Sequence, residues 1–277
     1  MSPMVIFSER IAARTTRRRL WPFLTQEYLR IMRSRTAVIL WAMMIYALLA
    51  LPFIMQKPQP ELVHAIATWL GSDDVYGKLL LFMWVDASMN KFAMIMGPVL
   101  AGGIIVDERA RGSLDIFASK PLWAADYFTM KLAASWGAFA TFYLAGVVGA
   151  AMTFPWRVPG FDVGDLLALS AVHLFAALFA VTFSATMAVV FERKLIGMLV
   201  SFTVLAFFVG FAFLGFWAPA YRTVSYLNPF FDGVVLIASL NDYGTWDIVW
   251  PVLLLLGFNL AVAAIGRRRA TVVLEER

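Results

Sequence analysis

Six apolar runs, each about as long as a bilayer-spanning helix, limit most strongly what this chain can fold into. A transmembrane helix needs about 20 mostly apolar residues. The runs are Thr36–Ile54, Ser88–Val106, Thr129–Thr153, Leu166–Phe191, Leu195–Trp217 and Ile248–Ile265. Hydrophobic residues make up 61% of the 277 residues and charged residues only 15%, which is more apolar than one soluble core requires. The sequence therefore predicts an all-α integral membrane protein with six transmembrane helices and no soluble domain longer than a loop.

The distribution of Lys and Arg predicts how these spans are oriented. If the N-terminus is cytoplasmic, 18 of the 23 cations fall on the cytoplasmic side, whereas the 18 acidic residues divide equally between the two sides. A bias confined to the cations is what the positive-inside rule requires. We expect a multi-pass protein of the cell inner (cytoplasmic) membrane with both termini cytoplasmic. The basic start is expected to be uncleaved, because the first apolar run is too long for a signal peptide.

Two regions are predicted along the chain: residues 1–35, a cytoplasmic basic tail with an amphipathic helix, and residues 36–277, the six-span domain. Apolar residues recur at helical spacing from Trp21 to Arg35, with Gln26, Glu27 and Arg30 on the polar side. This pattern predicts an interfacial helix leading into the first span. Its candidate site residues are Trp21, Leu24, Glu27, Tyr28 and Ile31. The helix either anchors the chain or also braces a cytoplasmic partner, and the pattern favours neither.

Two elements are predicted on the external side. Residues 55–87 read as a loop that contains a short surface helix at Leu62–Leu70. Before the last span, Asn228, Pro229 and Phe230 open a segment whose apolar part, Val234–Leu240, is too short to cross. We expect this segment to be a half-buried re-entrant element, because non-helical backbone at membrane depth must be covered by protein or water.

Catalytic and metal-binding motifs are missing from the sequence. Gly71–Leu79 superficially resembles a phosphate-binding loop, but five residues separate its glycines and Leu79 replaces the Ser or Thr that binds magnesium. The chain has no cysteine, and His64 and His173 have no second ligand at metal spacing. We therefore predict no catalytic residue, no metal site and no cofactor bound by this chain.

Polar and small residues inside the spans are expected to serve helix packing. His173, in the fourth run, is predicted to be a hydrogen-bonded packing residue. Hydrogen bonds between helices are likewise expected for Thr182, Ser184, Thr186 and Asn259. The glycines of the second and third runs predict close approach of helix backbones.

A polar block, Asp107–Pro121, separates the second and third runs. Acidic Asp107 and Glu108 suit the positive end of a short helix, and Pro121 ends it. Leu114 and its apolar neighbours form a knob that a purely topogenic loop would not need. The block therefore predicts a contact with a protein docked on the cytoplasmic surface.

The block also resembles the cytoplasmic loop of ABC-2-type transporter permeases. That family's pattern is an acidic residue, Glu-Arg-x-x-Gly-Ser/Thr-Leu, a second acidic residue, Ser-x-Pro, and a Lys about ten residues later. This chain has Asp107, Glu108, Arg109, Gly112, Ser113, Leu114, Asp115, Ser119, Pro121 and Lys131 in that order. Ser113 stands where Thr is commoner and keeps the hydroxyl. The interfacial helix, the six spans and the Asn228-Pro229 element also look like this family's type V exporter-like architecture, so the resemblance covers nearly the whole chain.

The resemblance implies a half-transporter that is not itself an enzyme. It would pair with a second copy or a paralogue in the bilayer, each with a cytoplasmic ABC ATPase subunit that binds ATP and magnesium. The implied ATPase-coupling residues are Asp107, Glu108, Arg109, Arg111, Gly112, Ser113, Leu114 and Asp115. Export of a lipid-like, drug-like or polymer substrate is the implied activity, and no nucleic acid is expected as a partner.

Two other functions compete with this one. A non-transporting membrane anchor of an assembly or maturation complex would use the same loop to recruit its partners. A secondary transporter would carry paired intramembrane charges and broken helices at matching places in two halves, and the sequence shows neither.

Overall fold

The computed structural model describes residues 21–55, 60–70, 75–106, 108, 124–158, 160–240 and 242–275. All regular structure in these residues is helical. Six helices are long and apolar enough to cross a membrane, which confirms the predicted number of spans. Spans one to six are Arg35–Ile54, Tyr76–Ala101, Ala125–Thr153, Val163–Phe191, Lys194–Phe216 and Thr245–Val273.

The individual helices are partly irregular. Residues 21–32 form a helix, here named the leading helix, ahead of span one. The α-helices that follow are Arg35–Met55, Pro60–Leu70, Val75–Met83, Lys91–Ala101, Ala124–Thr153, Val163–Phe191, Lys194–Gly210, Leu214–Trp217, Arg222–Ser225, Pro229–Val234 and Thr245–Glu275. A π-helix, Trp84–Asn90, joins the two α-helical parts of span two, and 3₁₀-helices occupy Pro219–Tyr221 and Val235–Ser239. The short helix predicted at Leu62–Leu70 is present and spans Pro60–Leu70.

Span four lies at the centre of the molecule. Its most apolar stretch is 61% buried, against 17% for that of span six, and it packs against spans two, three, five and six. Small side chains such as Ala176, Ala177 and Ala180 let neighbours approach closely, and all three are fully buried. Spans one, five and six keep large apolar surfaces exposed, as a bilayer-embedded chain requires.

Glycines set the closest of these contacts. A Cβ on Gly97 of span two would lie 2.6 Å from the backbone oxygen of Ala180 in span four. On the face of span three that meets span one, a Cβ on Gly146 would lie 2.5 Å from Met44 Sδ. The predicted close approach at these glycines is confirmed.

Span two differs from its prediction. It begins at Tyr76, whereas the apolar run was placed at Ser88–Val106 with a loop before it. Lys91 therefore lies well inside the span, where its Nζ is 3.2 Å from Asp86 Oδ1. The two charges interrupted the apolar pattern, but an ion pair between them lowers the cost of holding both near apolar surroundings.

The segment after span five is more deeply buried than predicted. We name residues 229–239 the insert; it packs against span four, and Phe230 and Phe231 are fully buried. Asn228 caps its first helix, because Oδ1 accepts a hydrogen bond from the Phe230 amide at 3.0 Å. The amide Nδ2 of Asn228 also donates to the Phe208 carbonyl at 2.8 Å, which ties the insert to span five.

Candidate functional site

Four charged side chains meet where the leading helix approaches span three. Glu27 and Arg30 come from the leading helix, Lys131 from span three, and Glu108 follows span two; we name these four the charge cluster. Lys131 Nζ lies 2.8 Å from Glu27 Oε2 and in direct contact with Glu108 Oε1. Arg30 binds Glu27 at 2.9 Å and Glu108 at 3.4 Å. Two carboxylates thus balance two cations, and each carboxylate contacts both.

Helical spacing explains how these groups converge. Glu27 and Arg30 are three residues apart and so share one face of the leading helix. Tyr127 and Lys131 are four residues apart on span three, and the Tyr127 hydroxyl donates a hydrogen bond to Glu108 Oε2. Glu108 therefore receives bonds from two elements at once, and its position is fixed relative to both.

The charge cluster is largely withdrawn from solvent. Lys131 is 1% exposed, Glu108 7% and Glu27 8%. The Lys131 ammonium also lies 5.6 Å from the ring centroid of Phe23 and 5.5 Å from that of Tyr127, within range of cation–π attraction. Removing Lys131 would leave two buried carboxylates with the exposed Arg30 as their remaining cation in the charge cluster, and breaking a buried ion pair in this way costs about 3–5 kcal/mol. The charge cluster therefore resists separation of the elements that it joins.

Only part of the predicted coupling site falls in the described residues. Glu108 does, and the structure brings it to the leading helix and span three. The other predicted coupling residues, Asp107, Arg109, Arg111, Gly112, Ser113, Leu114 and Asp115, lie outside the described residues.

The leading helix carries its predicted residues, with one correction. Trp21 is 72% exposed, while Leu24, Tyr28 and Ile31 are half-buried. Glu27 was assigned to the polar side, yet it is buried, because Lys131 of span three neutralises it there. Sequence reasoning noticed Lys131 only as a motif position and missed its contact with Glu27. A lysine inside an apolar run was the available signal, but the sequence does not show which acid it meets.

A second polar network lies among spans two, three and four. His173 Nε2 is 2.8 Å from Asn90 Oδ1, and its Nδ1 is 3.0 Å from the Tyr143 hydroxyl. His173 and Asn90 are both fully buried. The predicted hydrogen-bonded packing histidine is confirmed, and Asn90, at the end of the π-helix, is the partner that sequence reasoning did not find.

The predicted hydrogen bonds between spans four and six are mostly present. Thr182 donates to Asn259 Oδ1 at 2.7 Å, and Thr186 donates to the Val262 carbonyl at 3.1 Å. The prediction was wrong for Ser184, which donates to the Ala180 carbonyl of its own helix at 2.7 Å. A serine hydroxyl within a helix often donates its hydrogen bond to the carbonyl four residues earlier in the same helix.

Asp232, in the insert, is a buried acid that sequence reasoning missed. The residue is fully buried, and neither carboxylate oxygen has a hydrogen-bond partner among the residues that the structure describes. Burial raises the pKa of Asp232 from 3.8 to about 8. A carboxyl group with that pKa is mostly protonated at neutral pH, so the insert holds a neutral acid beside Gly233, which packs against His173.

No three His, Asp or Glu side chains of the described part of the chain are placed to hold a metal ion together. The arrangement at the charge cluster is suited instead to mechanical linkage, since it joins a loop to two helices through buried ion pairs. No protein-family model matches the chain, and no curated protein sequence matches it.

Proposed function

We propose that this chain is the permease subunit of an ATP-driven ABC-2-type transporter, moved by a separate ATPase subunit through the loop at residues 107–121. The observation that carries the proposal is the position of Glu108. This residue belongs to the loop motif, and the charge cluster fastens it to the leading helix and to span three. A force applied to the loop would therefore act directly on two elements of the membrane domain.

Moving span three together with the loop should cost less free energy than separating Glu108 from the charge cluster. Pulling Glu108 out of the charge cluster would break its contacts with Lys131, Arg30 and Tyr127, at a cost of up to about 3–5 kcal/mol. Moving span three together with the loop avoids that cost. ATP-dependent closure of the partner ATPases would then rock the spans as near-rigid bodies, a type of transition that links distant sites in many proteins.

The remaining parts of the proposal follow from the same family resemblance. The complex would contain two permease chains and two ATPase subunits in the inner membrane, with both termini of this chain cytoplasmic. ATP and magnesium would be bound by the ATPases. The exposed apolar faces of spans one, five and six offer surface for lipid and for the second permease. Export of a lipid-like, drug-like or polymer substrate is the activity that the family resemblance implies.

Glu108→Gln tests the coupling role. The variant keeps the size of the side chain and removes its charge, so Lys131 loses an ion pair while the motif geometry stays similar. In proteoliposomes with the partner ATPase, we expect the ATPase to remain bound and ATP-dependent transport to fall roughly tenfold or more, since several kcal/mol of linkage is lost. Substrate efflux and ATP hydrolysis are measured on the same vesicles.

Asp126→Asn is the matched control. Asp126 lies on the same helix as Lys131, and its one ion pair with the described residues is an exposed pair with Arg267 at 3.5 Å, which contributes little. Transport at the wild-type rate by Glu108→Gln, with the ATPase bound and the protein folded, would remove the coupling assignment. Stable capture of partner proteins without any ATP-dependent transport by the wild type would instead support the membrane-anchor function.

A further inference from the structure

The ion pair between Asp86 and Lys91 lies near the middle of the bilayer. Ten residues separate Tyr76, where span two begins, from Asp86, and ten separate Lys91 from Ala101, where the span ends. At about 1.5 Å per residue, each charge lies roughly 15 Å from the nearer end of a helix that crosses a core about 30 Å thick. The other charged side chains of the six described spans lie closer to an end of their own span.

The π-helix of span two brings these two side chains together. In an α-helix each residue turns the chain by about 100°, so residues five apart point in clearly different directions. A π-helix joins residues five apart by its backbone hydrogen bonds, which places Asp86 and Lys91 on the same side of the span. Their contact at 3.2 Å is therefore a product of the irregular turn.

The rest of the described chain leaves this ion pair partly uncovered. The Asp86 side chain is 27% exposed and that of Lys91 is 45% exposed, whereas Lys131 of span three is 1% exposed. Hydrocarbon does not solvate charges, and one charged side chain at the centre of a membrane helix costs about 2.5–3.5 kcal/mol or more. Water or another protein surface must therefore cover the pair in the membrane.

Long side chains continue the same side of span two above and below the pair. Met83 lies about one turn before Asp86, Ile95 lies one turn after Lys91, and both are half-buried. Val99, a further turn on, is 41% exposed. We name these five residues the open face. Close helix contacts in this molecule use glycine and alanine, which the open face lacks, so its composition favours water over a packed helix.

We propose that the open face lines a water-filled path through the membrane domain, and that Asp86 and Lys91 bind the zwitterionic headgroup of an amphiphile in it. The Asp86 carboxylate binds the cationic group, and the Lys91 ammonium binds the anionic oxygens. Met83 and Ile95 contact the apolar part. The headgroup class narrows the substrate of the proposed transport and rests on that proposal, whereas the water-filled path does not.

Cysteine labelling in membrane vesicles tests the path. The chain has no cysteine, so Ile95→Cys alone reports on the open face. The probe is a cationic methanethiosulfonate reagent, which stays in water and reacts with thiolates. A thiolate forms readily in water but hardly at all in hydrocarbon, so we expect Ile95→Cys to react about tenfold or more faster than a lipid-facing cysteine.

Ala42→Cys is the matched lipid-facing control. Ala42 lies seven residues inside span one, counted from Arg35, and Ile95 lies six residues inside span two, counted from Ala101. Both positions are thus at a similar depth from the same end of the molecule, and Ala42 is the more exposed of the two. Equal reaction rates would overturn the path, since lipid or a second copy of the chain would then cover the open face.

Replacing both charges tests whether the ion pair holds the water. Asp86→Leu and Lys91→Leu are combined in the Ile95→Cys chain. Apolar replacement of an inaccessible ion pair is often neutral for stability, so the variant should fold. Its labelling rate should fall about tenfold, because the face loses the groups that attract water. An unchanged rate in the folded variant would show that the pair does not line the path.

Protection from labelling tests the headgroup class. Lysophosphatidylcholine, added below its micellar concentration, should slow the labelling of Ile95→Cys about fivefold or more, since its headgroup forms two contacts between opposite charges. Dodecyl maltoside, whose headgroup is uncharged, should not slow it at the same concentration. Equal protection by both amphiphiles, or by neither, would overturn the headgroup assignment. These rates are measured without the ATPase, so failure here is distinct from failure of the coupling test.

Discussion

At the scale of single residues, Asp232 is the least expected side chain in the molecule. A buried carboxyl group without hydrogen bonds costs free energy even when neutral, and far more when charged. The protein tolerates it because burial raises the pKa of Asp232 to about 8, so that the acid stays protonated through most of the physiological range. The unfolded chain would release that proton near pH 4. Folding therefore takes up a proton at Asp232 between these two pH values.

The pH dependence of stability follows with a definite sign. Because the pKa of Asp232 is higher in the folded state, its contribution favours folding fully below about pH 4 and is lost as the pH rises to about 8. We expect Tm to fall across that window and to level off above it. Asp232→Asn should remove this part of the slope. Tm in detergent, followed by fluorescence over pH 4 to 9 (about the span of both pKa values), measures the difference.

Asp242→Asn serves as the control, since Asp242 is exposed and its replacement should leave the slope unchanged. Parallel Tm profiles for the wild type and Asp232→Asn would show that Asp232 does not titrate as the structure indicates.

Single residues also show which part of the candidate site was accessible to sequence reasoning. The motif around Glu108 is contiguous, so its charges could be recognised from their order alone. The partnership of Lys131 with Glu27 was not accessible, because the two residues come from distant helices and helical periodicity does not state which faces meet. The buried position of Asp232 could not be predicted for a related reason, since neither its burial nor its lack of partners has a local sequence signal.

At the scale of elements, helix contacts depend on positions where a side chain does not fit. Gly97 is the clearest case, because a Cβ there would lie 2.6 Å from the Ala180 backbone oxygen, and a backbone atom cannot rotate away. Gly97→Ala should force spans two and four apart and cost about 1–3 kcal/mol, the usual range for overpacking. A lowered Tm of the purified variant in detergent is the measurement.

Gly257→Ala, in span six, provides the comparison. Apart from the neighbouring backbone of its own helix, no heavy atom of the described residues lies within 4 Å of a Cβ built there, and Ala favours helix over Gly by about 1 kcal/mol. Its Tm should match or exceed that of the wild type. If both variants had the same Tm, the contact between spans two and four would not be limited by Gly97.

The spans themselves were predictable because length and apolar composition are enough to recognise a membrane helix. Five began within a few residues of their predicted positions. The start of span two was not predicted correctly, because Asp86 and Lys91 break its apolar run. The ion pair that compensates for these charges is visible only in three dimensions. The burial of the insert also required the structure, since its apolar stretch is equally compatible with a surface position.

At the scale of the whole molecule, most of the described cations lie at one end. Lys131, Lys194 and Arg269 all lie there, and the opposite end holds the Pro60–Leu70 helix and the start of span six. The positive-inside rule predicts that this end faces the cytoplasm. The chain contains no cysteine, so a single introduced cysteine reports its own side of the membrane without background.

Cysteine labelling of intact cells checks this orientation. A membrane-impermeant maleimide should label Asp242→Cys and leave Arg268→Cys unlabelled until the membrane is broken, because both positions are exposed but lie at opposite ends of span six. The reverse labelling pattern would invert the topology and place residues 107–121 outside the cell, which is incompatible with a cytoplasmic motor.

The π-helix at Trp84–Asn90 has a consequence for how span two presents its faces. Each residue inserted into a helical turn advances the direction of all later side chains by about 100°, since an α-helix has 3.6 residues per turn. A helical wheel drawn through Tyr76–Ala101 as one regular helix would thus assign the wrong face to half of its residues. Leu79 and Met96 are both buried, yet they lie on the buried faces of two α-helical parts whose side-chain directions are offset from each other. The parts of span two before and after Asn90 consequently contact different neighbours. A local change between π-helical and α-helical turns would rotate one part relative to the other at the level of His173.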